Sequence, residues 1–194
     1  LSRDLSLRAS LTLAHDLPYN SFVLLGCGLL VCKNISDRVP ARLSVIDPET
    51  LRPACADLDC PEPSIARLSA RGDTLYVVGV ESIFRYHWDQ AAGRLIFDEG
   101  WRHNYVAGTQ QSYGWDVVLA EDQAWFMDNG HHRYRTSMVG AGVSATPNRL
   151  IRVSLSNSAD HDAIEVSGLG GGSVTNPPVF DVGRQIVVAM DSAN

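Results

Sequence analysis

Lysine is nearly absent from this chain of 194 residues: Lys33 stands alone beside fifteen arginines. A Walker-type phosphate loop needs a lysine at the end of a glycine-rich turn, and Lys33 lies outside any such loop. Basic residues number 16 against 22 acidic ones, a net charge of −6, and no basic cluster occurs. Phosphate neutralisation needs a basic face, so no nucleic-acid partner is expected. Long apolar runs are missing too. The longest, Phe22 to Cys32, has eleven residues and is broken by Gly26 and Gly28, whereas a bilayer span needs about 20. No membrane-spanning helix is expected. No GxSxG nucleophile elbow occurs, and no ten-residue stretch free of Gly and Pro keeps apolar residues at helical spacing.

Strand signals are abundant instead. Short β-branched and aromatic runs such as Leu75-Tyr76-Val77-Val78, Ile83-Phe84-Arg85-Tyr86 and Ile186-Val187-Val188 are bounded by Gly, Asp, Asn or Pro. The runs come in fours. The clearest set has a first strand at 65–68, a second at 74–79, a third at 82–88 and a fourth at 94–97. Named a to d in order, the aligned b strands fall at Val31, Val78 and Trp125, 47 residues apart, and the next at Val187 after 62. The extra length is an insertion between b and c of the third set. Four short strands per step of about 40–50 residues is the pattern of β-propeller blades. The predicted fold is all-β: a propeller of four-stranded antiparallel blades at 20–60, 64–98 and 114–167, a partial blade at 176–194, and a lone strand at 5–14.

The c-turn-d phrases Ser44-Val45-Ile46-Asp47-Pro48-Glu49-Thr50-Leu51 and Tyr86-His87-Trp88-Asp89-Gln90-Ala91-Ala92-Gly93-Arg94-Leu95 resemble those of YVTN-type and quinoprotein-like (PQQ-repeat) propellers. The phrase Val174-Thr175-Asn176-Pro177-Pro178-Val179-Phe180-Asp181 resembles the a–b hairpin that opens a quinoprotein-type blade. The resemblance covers residues 20–194 and specifies blades, not a reaction. It would imply PQQ and calcium, but the Trp-rich docking motif of PQQ enzymes is not recognisable, and PQQ is not carried over. Three full blades and a hairpin do not obviously close a ring, so the chain reads as part of a larger propeller. Leu5, Leu7, Leu11 and Leu13 fit an outer strand by which the two ends could share a blade. Open sheet edges tend to pair, which makes self-association an expectation. The start Leu1-Ser2-Arg3-Asp4-Leu5 reads as a processed or truncated end.

In a propeller the d-to-a and b-to-c connections share one face, and loops carry function. The two longest, 98–114 and 128–148, fall there and hold Trp101, His103, Asn104, Tyr105, Tyr113, Asp128, His131, His132, Arg133 and Tyr134, the predicted ligand-binding set. Tyr, Trp and Arg are favoured interface anchors, so a noncatalytic module binding a protein, peptide or carbohydrate is the leading reading. The alternative is a quinoprotein- or lactonase-like enzyme acting on a small polar substrate at the channel mouth, with the histidines as proton shuttles or metal ligands. Asp128 and Asp191 end matching b strands, where they would either hold calcium or form Asx turns. Cys27-x4-Cys32 and Cys55-x4-Cys60 are spaced too widely for the usual zinc pairs. In the exported or periplasmic setting that is slightly favoured, a Cys55–Cys60 disulfide would close a short loop. Gly140 to Ala145 matches GxGxxA, but Pro147 leaves no helix to receive a dinucleotide. Asn34-Ile35-Ser36 is a formal glycosylation sequon.

Overall fold

The computed structural model of the chain describes residues 9–13, 18–36, 39–106, 114–130, 148–166 and 178–189. Its elements are all strands. The first blade comprises β1 (Tyr19–Leu24), β2 (Leu30–Asn34), β3 (Arg42–Asp47) and a divided outer strand, β4 (Arg52–Pro53) and β5 (Leu58–Asp59), both antiparallel to β3. The second has β6 (Ser69–Arg71), β7 (Thr74–Val78), β8 (Ser82–Asp89) and β9 (Arg94–Asn104) in meander order. The third has β10 (Gly114–Ala120), β11 (Gln123–Asp128), β12 (Arg149–Ser154) and β13 (His161–Glu165), and a last hairpin joins β14 (Val179–Asp181) to β15 (Ile186–Val188). The expected all-β architecture of four-stranded antiparallel blades is what the chain forms.

Period-2 alternation decides how the blades stack, because successive side chains point to opposite faces of a sheet. One face of the first blade (Val31, Leu43, Val45) meets Leu75, Val77, Phe84 and Tyr86 of the second in one apolar core. The other face of the second blade (Tyr76, Val78, Ile83, Trp101) meets Val117, Phe126, Ile151 and Val153 of the third in another. The hairpin lies on the far side of the third blade, with the Phe180 ring stacked on Trp125 at a centroid distance of 6.4 Å. The second blade is therefore shared by both cores, and its strands read as near-continuous apolar runs for that reason.

The turns follow the repeat. Asp47 Oδ1 accepts the Glu49 N–H at 2.8 Å and Asp89 Oδ1 accepts the Ala91 N–H at 2.9 Å, and the chain returns in each case through a left-handed residue, Leu51 or Gly93. The a–b turns also use one such residue, Gly72 in the second blade and Glu121 in the third.

The described residues bear on four readings of the sequence. The lone strand at 5–14 is not seen at residues 9–13, which are described and carry no ladder; the remainder of that segment lies outside the described residues. The outer strand of the first blade is interrupted at 54–57: Ala54 still donates its N–H to the Val45 carbonyl at 2.8 Å, and Ala54 and Cys55 then pack inward onto the core before pairing resumes at Leu58. All four thiols are free, the Cys55–Cys60 bridge is not formed, and Cys60 is buried. The sequon asparagine, Asn34, is fully buried and accepts the Arg42 N–H at Oδ1. Gly140 to Ala145 and the second calcium candidate, Asp191, lie outside the described residues.

Candidate functional site

The ends of β2, β7 and β11 define the rim from which the b-to-c and d-to-a connections leave. The expected loop 98–114 is not a loop up to residue 104. The β8–β9 ladder pairs Tyr86 with Phe97 and Phe84 with Arg102, so Asp98 to Trp101 bulge and the strand then resumes to Asn104. A bulge re-aims side chains while keeping the pairing, and here it turns Trp101 inward. Trp101 is 2% exposed, donates its indole N–H to the Ser154 carbonyl at 3.1 Å, packs edge-on against Tyr76 and lies under the Arg85 guanidinium. It is a brace between the second and third blades. Polarity and aromatic content suggested a loop; nothing in that composition distinguishes a bulged strand from one.

Tyr105 is likewise buried. Its hydroxyl donates to the Gly79 carbonyl at 2.5 Å and accepts the Gly114 N–H at 2.9 Å, joining both blades at the rim. Gly114 must be glycine on packing grounds, because a Cβ there would lie 2.4 Å from the Tyr105 hydroxyl oxygen. Asn104 caps the turn after β9, accepting the Val106 N–H at 2.9 Å. Asp128 is 0% exposed; it pairs with the Arg149 guanidinium, its Oδ1 accepts the Gly130 N–H, and Arg149 also donates to the Tyr105 carbonyl at 2.8 Å. Its carboxylate is thus occupied by an Asx turn and an ion pair. The His103 ring lies 3.9 Å from that of His161, and burial first, then His161 and Arg149, push His103 down to about 4, leaving it neutral near pH 7. Tyr105, Asp128 and Arg149 thus converge on one braced junction at the rim, while Trp101 braces the same two blades at the other end of β12. Tyr113, His131, His132, Arg133 and Tyr134 lie outside the described residues.

Two further polar clusters were not singled out from sequence. Glu62 is buried at the rim between the first two blades, accepts the Glu81 N–H at 2.7 Å and pairs with Arg102 at 3.2 Å; burial pushes its carboxyl up. Lys33 is fully buried and donates to Asn20 Oδ1, the Asn34 carbonyl and the Ser64 carbonyl at 3.0–3.2 Å. Burial lowers its ammonium to about 8, against the opposing pull of Cys60 and Asp116. Asp116 is buried on β10, accepts the Arg67 N–H and lies 3.3 Å from the Arg67 guanidinium, and burial raises its carboxyl. Together with Ser21, which accepts the Leu68 N–H at 2.7 Å, these groups hold the strand-like entry to the second blade from both neighbours. The only sequence signal was the uniqueness of Lys33 within an alternating apolar strand. Among the described residues no three His, Cys, Asp or Glu side chains are placed to hold a metal ion.

Radially stacked four-stranded sheets with a rim of long connections define a β-propeller. Among solved structures the chain is similar to BamB from Moraxella catarrhalis, with a TM-score of 0.52, 13% identity, and coverage of 91% of this chain and 54% of BamB. The chain therefore spans about half the length of that propeller, and at this identity the likeness concerns the fold. No protein-family model and no curated protein matches the sequence. No helix among the described residues is long and apolar enough to cross a membrane.

Proposed function

We propose that the chain is a noncatalytic propeller module that binds a protein partner on the rim carrying the connections 107–113 and 131–147. The observation that supports this reading most is the braced junction at the feet of both connections. The Tyr105 hydroxyl fixes Gly79 to Gly114 across two blades, and Arg149 ties the Tyr105 carbonyl to Asp128, which in turn holds the Gly130 N–H. A rigid scaffold carrying long, aromatic and Arg-rich connections is the arrangement that recognition surfaces use. Tyr113, Arg133 and Tyr134 are the anchors this reading assigns, while the polar groups of Tyr105, Asp128 and Arg149 are consumed in support.

The test replaces residues 131–147 by a short Gly-Ser connector in the full chain. Proteins retained from native extract by the two forms are compared by quantitative mass spectrometry. Loss of a discrete retained protein, with the fold intact by circular dichroism, is the expected result. Equal retention by both forms, or turnover of a small polar substrate that the replacement abolishes, would overturn the reading in favour of another surface or of an enzyme.

A further inference from the structure

Away from the braced junction, the first strands of the blades carry a further group of charges. Neighbouring blades approach one another most closely through these strands: β1 and β10 both lie against β6, and β10 against β14. They therefore form the inner wall of the blade stack, nearest the propeller axis. Side chains of both flanking blades hold the segment 65–68 there. Asn20 donates to the Ile65 carbonyl at 2.8 Å, Ser21 accepts the Leu68 N–H at 2.7 Å, and Asp116 accepts the Arg67 N–H. Ala66 turns into the core shared with the third blade and Leu68 into the core shared with the first. Arg67, between them, emerges on the inner wall with its side chain 59% exposed. Only the Nε side of its guanidinium is engaged, 3.3 Å from Asp116 Oδ2, and among the described residues neither Nη group has a hydrogen-bond partner. Asp116 is 1% exposed and its Oδ2 makes no hydrogen bond. The fully buried Lys33, whose three donors are used on Asn20, Asn34 and Ser64, is a second cation within electrostatic reach of that carboxylate. Two cations thus share one buried anion.

We propose that the unpaired edge of the Arg67 guanidinium is a carboxylate-binding site on the inner wall, fitted to a small organic acid or to the acidic side chain of an inserted peptide. A buried carboxylate at Nε steers the guanidinium plane, so the two Nη groups are presented with less rotamer freedom left to lose on binding. A planar carboxylate matches that two-donor edge. Carboxylate is favoured over phosphate by what surrounds the edge. The Arg67 and Leu68 N–H groups, which could complete a cradle for a doubly charged ligand, are already given to Asp116 and Ser21. This inference goes beyond the partner-binding reading and does not rest on it.

The test titrates the 194-residue chain with glutarate, with an end-blocked tetraglutamate peptide and with inorganic phosphate, following the amide resonances of residues 65–68 and, in the wild type, the Arg67 Nε resonance. A chain of net charge −6 repels all three probes in general, so saturation reports a local site. At least one carboxylate probe should saturate with a Kd of about 1 mM or tighter. Tighter binding of glutarate marks a small acid as the ligand, and tighter binding of the peptide marks an inserted side chain. Arg67→Gln weakens binding at least tenfold, and so does Arg67→Lys, which keeps the charge but not the fork. Arg71→Gln, at the far end of β6, leaves it unchanged. Amide exchange in β7 and β11 checks that the blades of each variant remain folded. Absence of saturation by either carboxylate at about 10 mM overturns the proposal. So does phosphate binding as tightly as the better carboxylate, or an Arg67→Lys chain that binds like the wild type.

Discussion

At the scale of single residues, the rim is held by a few buried polar groups whose partners cannot be removed cheaply. Arg149→Met leaves the fully buried Asp128 carboxylate without its cation, and breaking one side of such a pair costs about 3–5 kcal/mol; the midpoint of urea unfolding should fall accordingly. Tyr105→Phe removes one hydroxyl but orphans both the Gly79 carbonyl and the Gly114 N–H, a loss of about 1–3 kcal/mol in the same assay. His103 supplies a pH signature. Its folded pKa of about 4 lies below the ordinary value of 6.5, so above pH 6.5 the shift has no effect on stability. As pH falls from 6.5 toward 4 the unfolded chain takes up a proton that the folded one refuses, and stability is lost by at most about 3 kcal/mol. His103→Gln should flatten the stability profile in that window relative to wild type; parallel profiles would mean that His103 titrates normally. Little of this was legible in the sequence. Trp101, Tyr105 and Asp128 were visible as notable residues, but their roles depend on Ser154, Gly79 and Arg149, which lie 53, 26 and 21 residues away.

At the scale of elements, the strands were legible because each is short, apolar at alternate positions and bounded by turn residues. The repeat of 47 residues placed β2, β7 and β11 in register with one another. The misreadings have local causes: a bulge disguised the second half of β9, and the inward packing of Ala54 and Cys55 divided the outer strand of the first blade. Residues 107–113 and 131–147, where half of the expected ligand set falls, lie outside the described residues. The turns supply an element-scale prediction. Gly72 and Glu121 occupy the same left-handed position of their a–b turns, with φ of 55° and 49°. A residue with a Cβ costs about 1 kcal/mol more than glycine there. Glu121→Gly should therefore raise, and Gly72→Ala lower, the thermal midpoint, and a loss in Glu121→Gly would mean that the exposed contact of Glu121 with Gln185 outweighs the backbone strain.

At the scale of the whole molecule, two cores share the second blade, and stability should behave as it does in repeat architectures, as a sum of blade and neighbour contributions. Phe126→Ala empties the centre of the second core, a loss of about 3–5 kcal/mol. Amide exchange should then accelerate in β10 to β13 well before β2 and β3, whereas uniform acceleration would show a single cooperative unit. Acidic balance and the lack of a long apolar run framed the expected partners at the level of composition, which could not say which surface serves them. The most direct measurement is site-specific photo-cross-linking in native extract, with a benzoylphenylalanine at Tyr134, between β11 and β12 in sequence, or at Ala159 in the c–d turn of the third blade. A discrete protein adduct from Tyr134 and none from Ala159 is expected of a propeller that binds through its braced rim. Adducts only from Ala159, or from neither position, would contradict it.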